Sequence, residues 1–204
     1  MITATSRQEE ELWLQQARQG DTNAFARIVQ AYQKPVYNLC YRTLGDPDEA
    51  EDATQEAFLR AYTNFSRYDP ERRFLTWILS IASNHCIDRL RRRRQNWVSI
   101  DDELAGEQLV APSESPYRSA ERREQAEAIQ GLLNRMAPDY RIPLVLLYWY
   151  DLSYEEIAAT MNLSLAAVKS RLHRGRKQMA DLMQAESRSP YVPTTTHSPA
   201  AVAG

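Results

Sequence analysis

The stretch Asp48–Arg94 constrains this chain most, because an acid-rich helix directly precedes a helix that ends in arginines. Asp48–Tyr62 repeats Ala50, Ala53, Ala57 and Ala61 on one face, small enough for close helix packing, with Phe58 and Tyr62 flanking it. Asp52, Gln55, Glu56 and Leu59 fall away from that face. A leucine among acids on an outer face suits docking of another protein. A solvated face explains the same spacing, and spacing alone favours it.

Thr63–Arg73 carries Phe65, Tyr68, Asp69, Pro70, Arg72 and Arg73, and its proline makes it a loop. The next helix, predicted over Phe74–Arg94, buries Leu75, Ile78, Leu79, Ala82, Cys86 and Leu90. Its other side shows Trp77, Ser80, Asn84 and Arg91, and it closes on Arg89, Arg91, Arg92, Arg93 and Arg94. Arginines track phosphates and aromatic rings stack on exposed bases, so this side suits single-stranded nucleic acid. Core packing competes as the reading of Trp77, and a solvated helix end that favours the C-terminal dipole competes for the arginines. The acidic helix would repel phosphates, so the stretch addresses two different partners.

The net charge of the 204 residues is −2, so any nucleic-acid site is a local patch. Acids cluster at 46–56 and 101–107, bases at 89–94 and 169–177. Cys40 and Cys86 sit in no metal-ligand spacing, and His85 points about 100° away from its neighbour Cys86, so both cysteines read as small core residues and no metal or cofactor is expected. The N-terminus opens polar and acidic, and no apolar run nears the roughly 18 residues that would span a bilayer. A soluble, cytoplasmic protein without membrane insertion is expected. No Gly-rich phosphate loop or nucleophile–base pair suggests an enzyme, and His85, His173 and His197 are scattered.

Ahead of the acidic helix, Glu9 starts a helical pattern with Leu12, Trp13 and Ala17 on one side. Asp21 caps a helix bearing Phe25, Ile28, Val29 and Tyr32, and Pro35 reads as the start of another, up to Leu44. Gly45-Asp46-Pro47 makes a strong turn. Behind the arginines, from Trp97 to Ser119, periodicity vanishes among acids, prolines and serines, so an extended linker is expected.

A second module follows. Ala126, Ile129, Leu132, Leu133 and Met136 line one helix, and Arg141–Tyr150, apolar on most sides, reads as the module's core. Ser153-Tyr154-Glu155-Glu156 is a capping box, Asn162-Leu163-Ser164 a tight turn, and Val168, Leu172 and Met179 point the last helix inward. That helix offers Lys169, Ser170, His173, Arg174, Arg176 and Lys177 outward, with no acid between Ser164 and Ala180. Two short helices, a tight turn and a basic second helix make a helix-turn-helix, whose second helix enters a DNA major groove. A structural helix pair with a solvated basic face is the bland alternative. Residues 185–204, rich in Ser, Pro, Thr and Ala, read as a disordered tail. No strand pattern appears. The fold class is all-α, two small helical domains joined by a flexible linker: 9–95, linker 96–119, 120–184, and the tail.

With both modules in hand, the sequence resembles an RNA polymerase sigma factor of the extracytoplasmic-function (ECF) type within the sigma-70 family. The residues that carry this are Asp48-Glu49-Ala50-Glu51-Asp52-Ala53-Thr54-Gln55-Glu56-Ala57-Phe58-Leu59, Phe74-Leu75-Thr76-Trp77-Ile78, Ser153-Tyr154-Glu155-Glu156-Ile157-Ala158 and Val168-Lys169-Ser170-Arg171-Leu172-His173-Arg174. The helix-turn-helix alone is shared by many regulators; its combination with the acidic and Trp77 helices is specific.

The resemblance implies sigma region 2 followed by region 4, with polymerase core (β′ clamp and β subunits) and promoter DNA as partners. Asp48, Asp52, Gln55, Glu56 and Leu59 would dock on the β′ clamp coiled coil. Phe65, Arg72, Arg73, Trp77, Asn84 and Arg91 would melt and hold the −10 element. Lys169, Ser170, His173, Arg174, Arg176 and Lys177 would read the −35 element as duplex. The linker's acids would mimic nucleic acid near the RNA exit path, and an anti-sigma factor would hold the chain inactive. One rival is a helix-turn-helix regulator that never engages polymerase core, leaving the acidic helix idle. Another is a single-strand RNA-binding protein, leaving the helix-turn-helix idle.

Overall fold

The computed structural model describes residues 7–97 and 118–188, all in helices or short connections with no strand among them. The linker acids Asp101–Glu103 and Glu107, and the tail from 189 onward, lie outside the described residues. Eight α-helices follow in order: α1 (Arg7–Arg18), α2 (Thr22–Leu44), α3 (Pro47–Thr63), α4 (Phe74–Trp97), α5 (Arg118–Asn134), α6 (Pro138–Tyr150), α7 (Tyr154–Met161) and α8 (Leu165–Arg188).

Each boundary has a local cause. The Asp21 carboxylate accepts from the amides of Asn23 and Ala24 and starts α2. Gly45, at φ 82°, ends it, its amide donating to the Tyr41 carbonyl at 2.8 Å. Asp46 then caps α3 through the Glu49 amide at 2.8 Å, with Pro47 at the first helical position. Asp151 and Asn162 take left-handed φ values of 50° and 51° to end α6 and α7.

One expectation fails here. Pro35 does not begin a helix; it lies inside a continuous α2 of 23 residues. The ring deletes one amide donor from the ladder. The helix survives because Ile28, Tyr32, Val36 and Leu39, spaced three or four apart across the proline, are all buried on one stripe.

In the first module α2, α3 and α4 pack on one another and α1 lies along α2, fastened by the Tyr32 hydroxyl donating to Glu10. Burial and this carboxylate push the Tyr32 phenol far above its ordinary value. Ala50, Ala53, Ala57 and Ala61 are fully buried, as their spacing predicts. In the second module α6 is the centre, with Ile142, Val145 and Leu146 fully buried, and α8 packs across it at Gly175, where a Cβ would lie 3.0 Å from Leu144. The two modules also touch: α2 meets α5 and α6, and α4 meets α7. Their buried side chains form one continuous apolar cluster.

Candidate nucleic-acid and partner interfaces

With its alanines facing inward, α3 presents Asp48, Asp52, Gln55 and Leu59 to solvent, and Leu59 is 60% exposed. A shallow groove of about 470 Å³ runs between α3 and α4, lined by Asp52, Gln55, Glu56, Leu59, His85 and Arg89. Arg60 Nε donates to Glu56 Oε1 at 2.6 Å, which holds the Glu56 carboxyl below its ordinary value. His85 is pushed down, first by burial and then by the Arg60 cation. Arg89 reaches Asp52 at 3.5 Å and Glu49 at 3.9 Å, and Arg93 reaches Glu49 at 3.6 Å. Partly exposed pairs like these contribute at most about 1 kcal/mol each. They nonetheless fix the geometry of an acidic groove with an uncovered leucine at its rim.

His85 and Arg89 are groove residues the sequence reading missed. It treated the arginines of α4 as one nucleic-acid group. Helical phase divides them: Arg89 and Arg93 turn toward α3, while Arg91 and Arg92 are exposed on other sides. The i, i+4 step from His85 to Arg89, turned roughly 80–140° round the helix from Trp77 and Asn84, was the available signal.

The connection from α3 to α4 is braced rather than loose. Phe65–Arg67 form a short 3-10 turn, Tyr68 Oη donates to the Arg72 carbonyl at 2.7 Å, and Asp69 pairs with Arg72 at 3.6 Å. Phe65, Tyr68, Phe74 and Trp77 make an aromatic cluster with centroids 5.2–6.1 Å apart. Burial pushes the Tyr68 phenol up to about 12. Phe65 is a correction: expected at the −10 face, it is 6% exposed and sits edge-on to Phe25 inside the core, so its ring is not offered to a base. Trp77 is half-buried against the same cluster. Arg72, Arg73, Asn84 and Arg91 are exposed.

In the second module the capping box forms as predicted: Ser153 Oγ accepts from the Glu156 amide at 3.1 Å, and Glu156 accepts from the Ser153 amide at 2.8 Å. Ser164 Oγ accepts from the Ala167 amide and starts α8. Val168 and Leu172 are fully buried, so Lys169, Ser170, His173, Arg174 and Lys177 are exposed together on the opposite side. Arg176 is set apart from them. Its Nε donates to Tyr148 Oη at 3.0 Å and an Nη to Tyr154 Oη at 3.1 Å, tying α8 to α6 and α7. Beside it an apolar groove of about 300 Å³, with Leu144, Tyr148, Trp149, Met179 and Met183 in its walls, was not foreseen.

The arrangement is thus a groove with Asp52, Glu56 and the exposed Leu59 and an arginine-flanked aromatic face on one module, and a helix with a basic exposed side on the other. Models of known families match both: Sigma-70 region 2 over residues 28–96 and Sigma-70 region 4 over residues 126–179. The ECF RNA polymerase sigma factor SigW of Bacillus subtilis (strain 168) is 40% identical over 180 residues, covering 83% of this chain and 96% of its own length. CnrH, solved in complex with the cytosolic domain of CnrY, superposes with a TM-score of 0.63 at 25% identity, over 87% of this chain and 99% of CnrH. The sigma factor RpoE of Bartonella quintana, solved with the anti-sigma factor NepR, shares the fold with a TM-score of 0.64 at 18% identity, over 79% of this chain and 98% of its own. Both regions in order, and a relative matched along nearly its whole length, place this chain in the sigma-70 family of RNA polymerase sigma factors, in its ECF branch.

Proposed function

We propose that the chain binds RNA polymerase core through the α3–α4 groove and directs initiation at promoters whose −10 element meets α4 and whose −35 element meets α8. The observation that carries this is the exposed Leu59 within an acidic groove, on the module that also presents Trp77, Asn84 and Arg91. A regulator acting on duplex alone has no use for such a groove. In this reading Asp48, Asp52, Gln55, Glu56 and Leu59 contact the β′ clamp, and His85 and Arg89 set the shape of the groove. Arg72, Arg73, Trp77, Asn84 and Arg91 hold the unstacked −10 strand, Phe65 acting from beneath as support for Trp77. Lys169, Ser170, His173, Arg174 and Lys177 read or clamp the −35 duplex.

The working units are the module that ends with α4 at Trp97 and the module from α5 at Arg118 to the end of α8 at Arg188, a few residues beyond the 9–95 and 120–184 read from the sequence, with the segment between them as linker and the residues after 188 as tail. The chain works in the cytoplasm, where core polymerase is; among the described residues no helix is long and apolar enough to cross a membrane. An anti-sigma partner restrains it, a reading supported by the complex of the sigma factor RpoE with the anti-sigma factor NepR.

The test is transcription in vitro with purified core polymerase on fragmented genomic DNA, with and without the protein. Starts that appear only with the protein and share two upstream motifs are expected. Duplex binding without any new start would favour the regulator that does not engage core.

A further inference from the structure

Glycine is a poor helix former, and alanine does better at an ordinary helical position. Gly175 nevertheless stands inside α8, buried between the exposed pairs His173–Arg174 and Arg176–Lys177. The reason lies across the helix. A Cβ on Gly175 would sit 3.0 Å from Leu144 Cδ1, 3.2 Å from Leu144 Cγ and 3.2 Å from the Tyr140 carbonyl oxygen, all on α6. Leu144 is 3% exposed and the Tyr140 oxygen belongs to a helix backbone, so neither has space to withdraw into. Two helices approach this closely where one of them lacks a side chain. At Gly131 of α5 the same Cβ would meet nothing within 4 Å, so closeness is particular to Gly175.

Helical phase puts an arginine on each flank of this contact. Val168, Leu172 and Gly175 form a buried stripe, spaced four and three apart. Arg171 and Arg176 lie about 70° from the middle of that stripe, on opposite sides. Arg171 Nη1 pairs with Asp139 Oδ1 of α6 at 3.0 Å. Arg176 donates to the Tyr148 and Tyr154 hydroxyls, as described above. One central contact and two lateral ones together fix both the distance and the rotation of α8 against α6. The basic side chains left facing outward are Lys169, His173, Arg174 and Lys177.

Rotation matters to whatever those side chains read. A group about 5–6 Å from the helix axis moves roughly 1.5 Å for a turn of about 15°. A hydrogen bond to a base edge tolerates a range of only about 0.5 Å. The two kinds of contact therefore give different faults. Losing a lateral tether loosens α8 but still allows its native orientation, so every duplex meets the same added ordering cost. Filling the central contact excludes that orientation. The base contacts are then lost, while phosphate contacts, which any duplex offers, remain.

We propose that Gly175 is a specificity-determining position for duplex reading by α8. It faces α6 and acts by fixing the rotation at which Lys169, His173 and Arg174 meet base edges, with Arg171–Asp139 and Arg176 as lateral tethers. This rests on the assignment of α8 to the −35 element.

The experiment measures binding of the full-length chain to two duplexes. One is the segment upstream of a transcription start that depends on this protein. The other is the same segment with its −35 element scrambled. Gly175→Ala should lower the ratio of the two affinities about tenfold, the size of one lost base contact. Across single-base variants the loss should spread over several base pairs. Asp139→Asn should weaken both duplexes by the same factor and leave the ratio alone. Partial unfolding also scales both affinities equally, so the ratio separates positioning from a merely structural role; circular dichroism checks that helix content is kept. Adding Leu144→Val to Gly175→Ala withdraws one carbon from α6 for the one added on α8, and should recover discrimination. A Gly175→Ala chain with the wild-type ratio overturns the proposal. So does a loss confined to one base pair, or a double variant no better than the single one. A wild type that does not distinguish the two duplexes overturns the reading of α8 and this proposal with it, whereas a discriminating wild type beside an unchanged Gly175→Ala chain overturns this proposal alone.

Discussion

At the level of single residues, burial separates side chains that sequence spacing had grouped together. Phe65 and Asn84 were both expected at the −10 face, yet one is core and the other exposed. Phe65→Ala should therefore cost about 3–5 kcal/mol of folding stability in a denaturant titration. Asn84→Ala should stay within about 0.5 kcal/mol of wild type, its loss appearing in promoter opening on a −10 mismatch template. His85 yields a pH prediction. Its folded-state value lies below the ordinary 6.5, from burial and the Arg60 cation. As pH falls, the unfolded chain takes up this proton first, so His85 disfavours the folded state increasingly below about pH 6.5 and is neutral in effect above it. An NMR titration of the folded chain should place the His85 midpoint under 6.5; a midpoint at or above it would remove the prediction.

At the level of elements, α7 and α8 depend on local chemistry that the sequence states openly. Both capping-box bonds at Ser153 form, so Ser153→Ala should lower stability by about 1 kcal/mol, read as a shift in denaturation midpoint, without altering which promoter is chosen. On α8 the exposed and the tied arginines should behave differently. Arg174→Ala should cost about 1–3 kcal/mol at one −35 position if it pairs with a base edge, measured by duplex binding across single-base variants. Arg176→Ala should instead weaken all sequences alike, because its guanidinium is engaged by Tyr148 and Tyr154 and acts by holding α8 in place.

At the level of the whole molecule, the α3–α4 groove and the basic side of α8 lie on different modules, so the functions proposed for them should separate. Glu56→Lys places a cation in the acidic groove while Glu56 itself sits at the surface. Affinity for core polymerase should drop by tenfold or more, a typical consequence of reversing a charge at an interface centre. Duplex binding should be unchanged, and stability should fall only slightly, from loss of the exposed Glu56–Arg60 pair. Unchanged core affinity for Asp52→Lys and Glu56→Lys combined would show that the groove is not the docking site.

Much of this was written locally in the chain. The helix order, the caps at Asp21, Asp46 and Ser153, and the alanine face of α3 follow from residues within one or two turns of each other, and periodicity reports such relations directly. The acidic face and the basic recognition helix were legible for the same reason. What adjacent sequence could not report is which element covers which. Phe65 looks like a loop aromatic until Phe25, forty residues earlier, is seen against it. Pro35 looks like a helix start until the buried stripe running through it is counted as a single surface. The arginines of α4 look like one patch until α3 claims Arg89 and Arg93. The hydrogen bond from Arg141 to the Thr43 carbonyl joins residues 98 positions apart, and neither announces the other. By itself the sequence determined the all-helical class, most helix boundaries and the family. Only the tertiary structure decided which polar groups the helix faces would meet, because burial and pairing are set by partners distant along the chain.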